Sequence, residues 1–353
     1  MGLKFKDDIN IGRRQFLYRL AGVAGGLLVA TLDQSSACAA SRRGSGADEG
    51  APEASFSQAD NAFSTYELAA DGSPLIGRAH RVSVCADETL LDIGRRFDLG
   101  YWDIVLANPG IDIWMPGVGT RALIPRKFIL PRAPREGIVI NIPELRLYYY
   151  PPAAKGKARQ VITHPVGLGR QDWATPLGRA SVVEKIPQPT WYPPASIRAE
   201  HAARGEKLPG IVPPGPNNPL GEYVLLLSIP GYLIHGTNKP YGVGMRVSHG
   251  CIRLYPEDIA RFFARVSRKT PVHIVDQPYK LAWHQGELWL EVQPSPEADD
   301  FTSMNRERHL AMLARLHQEV EHTAHAAGYT VAHREFDLQL RRFSGVPEPV
   351  PLI

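Results

Sequence analysis

The sequence predicts a mainly β protein in which one strand-rich domain follows a small β-α-α-β module and precedes a C-terminal helical extension. Three observations carry that prediction. Glycine and proline number 32 and 31 among 353 residues, a share that favours turns and short strands over long helices. Between residues 135 and 278, short apolar runs recur between Pro and Gly clusters, as strands do. Helical offsets of three and four are confined to short stretches before and within that region and one long stretch after it. The length suits two domains plus extensions. Apolar residues make up 44% and charged residues 22%, which argues against wholesale disorder and against an integral membrane protein. Net charge is only +4, and nothing in it demands nucleic acid as a partner. Three cysteines exclude a disulfide-built scaffold and a four-cysteine zinc site.

Residues 1–40 read as an export signal. Lys4, Lys6, Arg13, Arg14 and Arg19 precede an apolar run from Leu20 to Leu32, and Ser35 to Ala40 then offer small residues for cleavage. As a helix the run is about 20 Å long, short of a bilayer core of about 30 Å, which argues against a permanent anchor. Gly12-Arg13-Arg14-Gln15-Phe16-Leu17 resembles the twin-arginine signal, with Gly where Ser or Thr is usual; an ordinary Sec signal with paired arginines is the alternative. Cys38 as a lipidated cysteine ranks lower, because Ser35 stands where the lipoprotein box has Leu. Both export routes place the mature chain in a bacterial periplasm. Residues 41–64, rich in Ser, Gly, Ala, Asp and Glu, read as a flexible linker.

The module covers residues 65–131. A β-like Val82-Ser83-Val84 leads to Leu90, Ile93 and Phe97 on one helical face; a second helix covers Trp102 to Ala107, and Arg121 to Pro125 supply a closing strand. Thr89-Leu90, Ile93, Phe97, Leu106, Ala107-Asn108-Pro109, Trp114, Gly119 and Ile124-Pro125 resemble the LysM module, which binds N-acetylglucosamine-containing glycans. Asp87-Glu88 stands where that family has Gly-Asp. A brace against the next domain, without ligand, is the alternative. Cys85, at the end of the first strand, reads as a small buried hydrophobe, or as half of a disulfide in an oxidising compartment.

The strand-rich domain covers residues 135–278. Gly137 to Tyr150 form two strand-like runs joined at Pro143-Glu144, a hairpin signal. Further strands are predicted at Val161–Val166, Ala180–Ile186, Glu222–Ser228, Tyr232–His235 and Val272–Val275. Helices are predicted around Ser196–Ala203 and at Pro256–Val266, where Pro suits a first helical position. Within this frame lie Ile234-His235-Gly236-Thr237 and Val247-Ser248-His249-Gly250-Cys251-Ile252-Arg253-Leu254. A cysteine with His, Arg and Gly nearby is what thiol acyl transfer requires. A free thiol is mostly protonated at neutral pH, so a base or a positive neighbour must activate it. His235 is placed to take the proton, and Arg253 adds positive potential and a fork suited to a carboxylate. Gly250 lets backbone approach closely, so N–H groups around Gly250 and Cys251 can face an oxyanion.

His235 precedes Cys251 by sixteen positions, and Ser248-His249-Gly250-Cys251-Ile252-Arg253 matches the signature of the L,D-transpeptidases with a YkuD catalytic domain. Resemblance continues through Thr175-Pro176-Leu177-Gly178, Thr190 to Pro194 and Pro213 to Gly221, and together with the LysM-like part spans roughly residues 65–293. It implies a YkuD-like β-sandwich, no metal and no cofactor. It implies Cys251 as nucleophile and His235 as general acid/base, with Ser248, His249, Gly250, Arg253, Gly236 and Thr237 supporting the site or binding substrate. His249 as a hydrogen-bonded core residue is the alternative for that position. The implied reaction is attack on the third residue of a peptidoglycan stem, loss of D-alanine, and resolution of the thioester by an amine. That amine belongs to a second stem (a 3-3 cross-link) or to an outer-membrane lipoprotein lysine. Zinc on His235, His249 and Cys251 is a rival use that lacks a fourth ligand. An L,D-carboxypeptidase, and a wall-binding LysM protein with an inert domain, are the other readings.

Residues 279–353 form the C-terminal extension. Leu310, Leu313, Leu316, Val320 and Ala324 make an apolar stripe ended by Gly328, and His309, His317, His322 and His325 read as exposed residues of that helix. His164, in a strand, reads either as lining the cleft or as packing.

Overall fold

Ten-residue Gly178–Pro187 organises the centre of the molecule, because it is long enough to pair with different partners at its two ends. A computed structural model describes residues 64–153, 155–170, 175–248, 250–293, 303–342 and 344–353. The export signal and all but the last residue of the linker lie outside the described residues. The central sheet runs, in spatial order, β1 (Thr65–Glu67), β8 (Gln160–Pro165), β7 (Arg146–Tyr150), β6 (Gly137–Asn141), β15 (Pro271–Val275), β10 (Gly178–Pro187), β11 (Tyr223–Leu227), β12 (Leu233–His235) and β14 (Ile252–Arg253). The expected sandwich of two sheets is instead hydrogen-bonded without a break. The first residues of β10 pair with β15 and the remainder with β11, with a register shift between Val182 and Glu184. A bulge of that kind bends a strand and increases its twist. Both halves then feed one core. Ile138, Ile140, Leu147 and Ile162 from one side meet Leu225, Ile234 and Ile252 from the other, together with Ile259 and Phe262 of a helix at Pro256–Arg265.

The small module has the predicted order β3 (His80–Ser83), α1 (Leu90–Arg96), α2 (Tyr101–Leu106), β4 (Arg121–Ile124), with β3 and β4 antiparallel. Thr89 and Asp92 exchange side-chain and backbone hydrogen bonds at 3.1 and 3.0 Å, a capping box that starts α1. Asp87 adopts the left-handed turn at φ +61°. Leu90, Ile93, Leu99, Ile104 and Ile124 share their core with Val139, Tyr148, Tyr150 and Val161 of the central sheet. A short pair, β2 (Leu75–Gly77) with β5 (Lys127–Ile129), completes this region.

Beyond Pro278 the chain builds more than a helix. β16 (Tyr279–His284), β17 (Glu287–Val292) and β18 (Glu348–Pro349) form a three-stranded sheet covered by two helices, Ser303–Ala326 and His333–Leu340. The apolar stripe is narrower than predicted: Leu316, Val320 and Ala324 are buried, whereas Leu310 is 55% exposed. His322 and His325 are exposed, but His309 and His317 are half-buried, and His317 sets its ring edge against Phe336. Lys280, on β16, is buried and lies 2.8 Å from both Glu144 and Glu291. Glu291 also accepts from the Ile129 N–H at 2.7 Å, so this one cation ties three regions of the chain. No helix among the described residues is long and apolar enough to cross a membrane.

Candidate active site

Strand pairing brings the two distant halves of the cysteine motif together. β12 and β14 are parallel neighbours with Ile234 opposite Ile252 and His235 opposite Arg253. Both isoleucines point into the core. Alternation then sends His235 and Arg253 to the other face, and Cys251 lies just before β14 with its thiol bonded to the Leu233 backbone. From strand spacing and rise, a residue opposite Leu233 lies about 8 Å from His235 at Cα, a diagonal that side chains reach across.

His235 is buried, and its Nδ1 donates to the Gly236 carbonyl at 2.6 Å. That bond puts the proton of the neutral ring on Nδ1 and makes Nε2 its basic nitrogen. Burial, and then the Arg253 charge, push His235 down to about 3, so the ring is neutral at ordinary pH. Cys251 is half-buried and carries a free thiol, with Sγ 3.8 Å from the Gly231 carbonyl. Burial pushes that thiol up, while the Leu233 backbone and Arg253 pull it the other way. Cys85 is disulfide-bonded, which corrects the reading of it as a plain hydrophobe and removes it as a partner for Cys251.

Three hydroxyls shape the surrounding backbone. Buried Ser248 donates from Oγ to the Cys251 carbonyl at 2.7 Å. Thr175 donates from Oγ1 to the Gly250 carbonyl at 3.0 Å. Thr237, also buried, accepts from the Lys239 N–H at 2.9 Å. Gly250 stands at φ +100°, a conformation that favours glycine, so the turn into Cys251 depends on it. Buried Gly236 supplies the carbonyl that holds His235. Half-buried Arg253 exchanges two backbone hydrogen bonds with Gly167, both at 2.8 Å, and its Nε has no hydrogen-bond partner among the described residues. His249 lies outside the described residues.

Thr175 and Asn218 belong to segments of the family resemblance, but nothing local to them gives their roles. Asn218 is fully buried, donates to the Pro189 carbonyl at 2.7 Å and accepts from the Leu220 N–H at 2.9 Å. It thereby shapes the arm whose Leu220 backbone also bonds the His235 ring.

One group among the described residues offers metal-ligand types close together: Asp98, His164 and Asp258, with ligating atoms within 4.8 Å of one another. These atoms bond among themselves. His164 Nδ1 is 2.9 Å from Asp98, and the Ser64 hydroxyl donates to the same carboxylate. Burial pushes Asp258 up, so that it keeps its proton, whereas His164 and Ser64 hold Asp98 low against the effect of burial. His164 is thus a packed residue, bonded to the small module.

Comparison with known proteins bears on this arrangement. Residues 135–274 match the family YkuD, described as the L,D-transpeptidase catalytic domain. The chain is 44% identical over 243 residues to the probable L,D-transpeptidase YcfS of Escherichia coli K12, covering 67% of this chain and 75% of that one. It is 42% identical over 232 residues to the probable L,D-transpeptidase ErfK/SrfK of the same strain, covering 65% and 73%. The solved catalytic domain of an Enterococcus faecium L,D-transpeptidase is 20% identical with a TM-score of 0.30, covering 41% of this chain and 100% of that one.

Proposed function

The chain belongs to the L,D-transpeptidases with a YkuD catalytic domain, cysteine-dependent acyltransferases, and from that membership we propose that Cys251 and His235 carry out the transfer on peptidoglycan stems. What supports this assignment is the parallel register of β12 and β14, which sets His235 opposite Arg253, two residues after the free thiol of Cys251.

Sγ of Cys251 attacks the carbonyl of the third stem residue and gives its proton to Nε2 of His235, while the Gly236 carbonyl holds Nδ1. N–H groups around Gly250 and Cys251 face the oxyanion, their peptide planes braced by Thr175 and Ser248. Collapse breaks the bond to D-alanine, whose amine leaves with the proton from Nε2, and a thioester remains. An acceptor amine then attacks and gives a proton to His235, and the thiolate leaves and recovers that proton. Arg253 orients a substrate carboxylate, Gly236 and Thr237 line the approach, and His249 supports the loop. The acceptor is a second stem or a lipoprotein lysine, with the overall layout favouring the lysine. The β-α-α-β module is a LysM module that holds the glycan, and the mature chain works in the periplasm.

Disaccharide tetrapeptide incubated with the protein should release D-alanine, and Cys251→Ala should abolish release. Release that continues in the mutant removes the assignment. Mass spectrometry of products formed with and without a lipoprotein C-terminal peptide separates the two acceptors, and disaccharide tripeptide as the sole product beside D-alanine would mean hydrolysis.

A further inference from the structure

We propose that residues 95–103 of the small module are a positioning element for the catalytic cysteine, with Gly100 and Tyr101 as the positioning residues. This rests on the assignment of Cys251 above.

The start of α2 is anchored first. Gly100 N–H donates to Asp103 at 2.8 Å, and Asp103 lies 2.5 Å from Arg146, a fully buried residue of β7. A helix leaves its first N–H groups without partners inside the helix. Here Tyr101 N–H donates to the Val243 carbonyl at 3.1 Å, and Trp102 N–H points at the Gly244 carbonyl at 3.5 Å. The two chains touch backbone to backbone. A Cβ on Gly100 would lie 2.6 Å from Gly244 Cα, and one on Gly244, at φ +80°, would lie 2.3 Å from the Tyr101 nitrogen.

From Gly244 the constraint passes towards the cysteine through a series of hydrogen bonds, with one register shift between Arg246 and Ser248. The Met245 carbonyl accepts from Leu168 at 3.0 Å, β13 (Arg246–Ser248) pairs with β9 (Leu168–Gly169), and Ser248 Oγ holds the Cys251 carbonyl. On the far side, Tyr255 donates its hydroxyl proton to the Leu99 carbonyl at 3.0 Å. Arg95 grips Glu257 with two bonds of 2.8 Å. One nine-residue stretch of the module thus holds the chain both seven residues before Cys251 and four residues after it. A nucleophile displaced by about 1 Å can lose about a hundredfold in rate, which makes this grip matter for chemistry.

The test uses the full chain, with D-alanine release resolved into kcat and KM and with the pH profile of Cys251 alkylation by iodoacetamide. Gly100→Ala should lower kcat roughly a hundredfold, leave KM within about twofold, and shift the alkylation profile. Tyr101→Pro replaces the N–H by a ring carbon at a position where helices accept proline, and should do the same. Tyr101→Phe keeps the N–H and should restore kcat. Val320→Ala, in the C-terminal core, should lower thermal stability and leave kcat alone. Folded Gly100→Ala and Tyr101→Pro proteins with the wild-type kcat and profile overturn the proposal. If neither variant folds, Tyr255→Phe decides: it deletes one hydroxyl and should lower kcat roughly fivefold, the equivalent of one net hydrogen bond, and an unchanged kcat overturns the proposal. A wild-type chain that releases no D-alanine counts against the transpeptidase assignment instead, and the alkylation profiles then decide the positioning role.

Discussion

At the sulfur, burial and a guanidinium pull in opposite directions. Burial raises the Cys251 thiol and lowers His235 to about 3, so the resting pair is a neutral thiol beside a neutral imidazole. In the proposed mechanism proton transfer is then part of the attack, as in general-base catalysis. Arg253 lowers both groups. Arg253→Gln should therefore raise both: the acid limb of kcat/KM, which lies well below pH 6.5 in the wild type, should move to higher pH, and alkylation of Cys251 should need a higher pH too. A pH-rate profile in which neither limb moves would show that the Arg253 charge does not reach the pair. The motif that holds His235 and Cys251 was legible in the sequence because it is local and its spacing is specific. Thr175 was visible only as part of a resemblance, since its partner is a backbone carbonyl 75 residues away.

Between elements, buried ion pairs mark the joints. Asp103 on α2 faces Arg146 on β7, and removing the carboxylate strands a buried guanidinium. Asp103→Ala should cost about 3–5 kcal/mol in urea unfolding. Lys280 sits between Glu144 and Glu291, and burial raises Glu291 to about 7. A carboxyl whose folded value lies above its unfolded one contributes stability in full below about pH 4.5 and loses it as pH rises through 7. The wild-type Tm should thus fall between pH 5 and 8 more than that of Glu291→Gln, and parallel curves would contradict this assignment. The same lysine explains why the β16–β17 hairpin escaped sequence reading: a buried cation in Tyr279–His284 interrupts the apolar pattern that identifies a strand. The Gly137–Tyr150 hairpin has no such interruption until Arg146, and its turn at Pro143-Glu144 announced it.

For the molecule as a whole, the change at residues 131–135 is a change of sheet and not of core. Val139, Tyr148, Tyr150 and Val161 pack against the module, and β1 extends the central sheet beside β8. A chain beginning at residue 135 would expose that apolar face, and should be insoluble or bind a hydrophobic dye, whereas the full chain should unfold in one transition by calorimetry. A soluble, cooperatively folding fragment would contradict the shared core. Composition and periodicity identified β3, α1, α2 and β4 and the β6–β7 hairpin separately and missed the three-residue β1, β2 and β5, and contacts between residues far apart in the chain leave no periodic trace in sequence. The shared ionic joints also set a rule for recombination. A chimera that takes residues 1–131 from one homologue and the remainder from another must keep Asp103 matched to Arg146, and one joined at residue 278 must keep Glu144 matched to Lys280 and Glu291. Splicing at the apparent boundary alone would maroon a charge on either side of the cut.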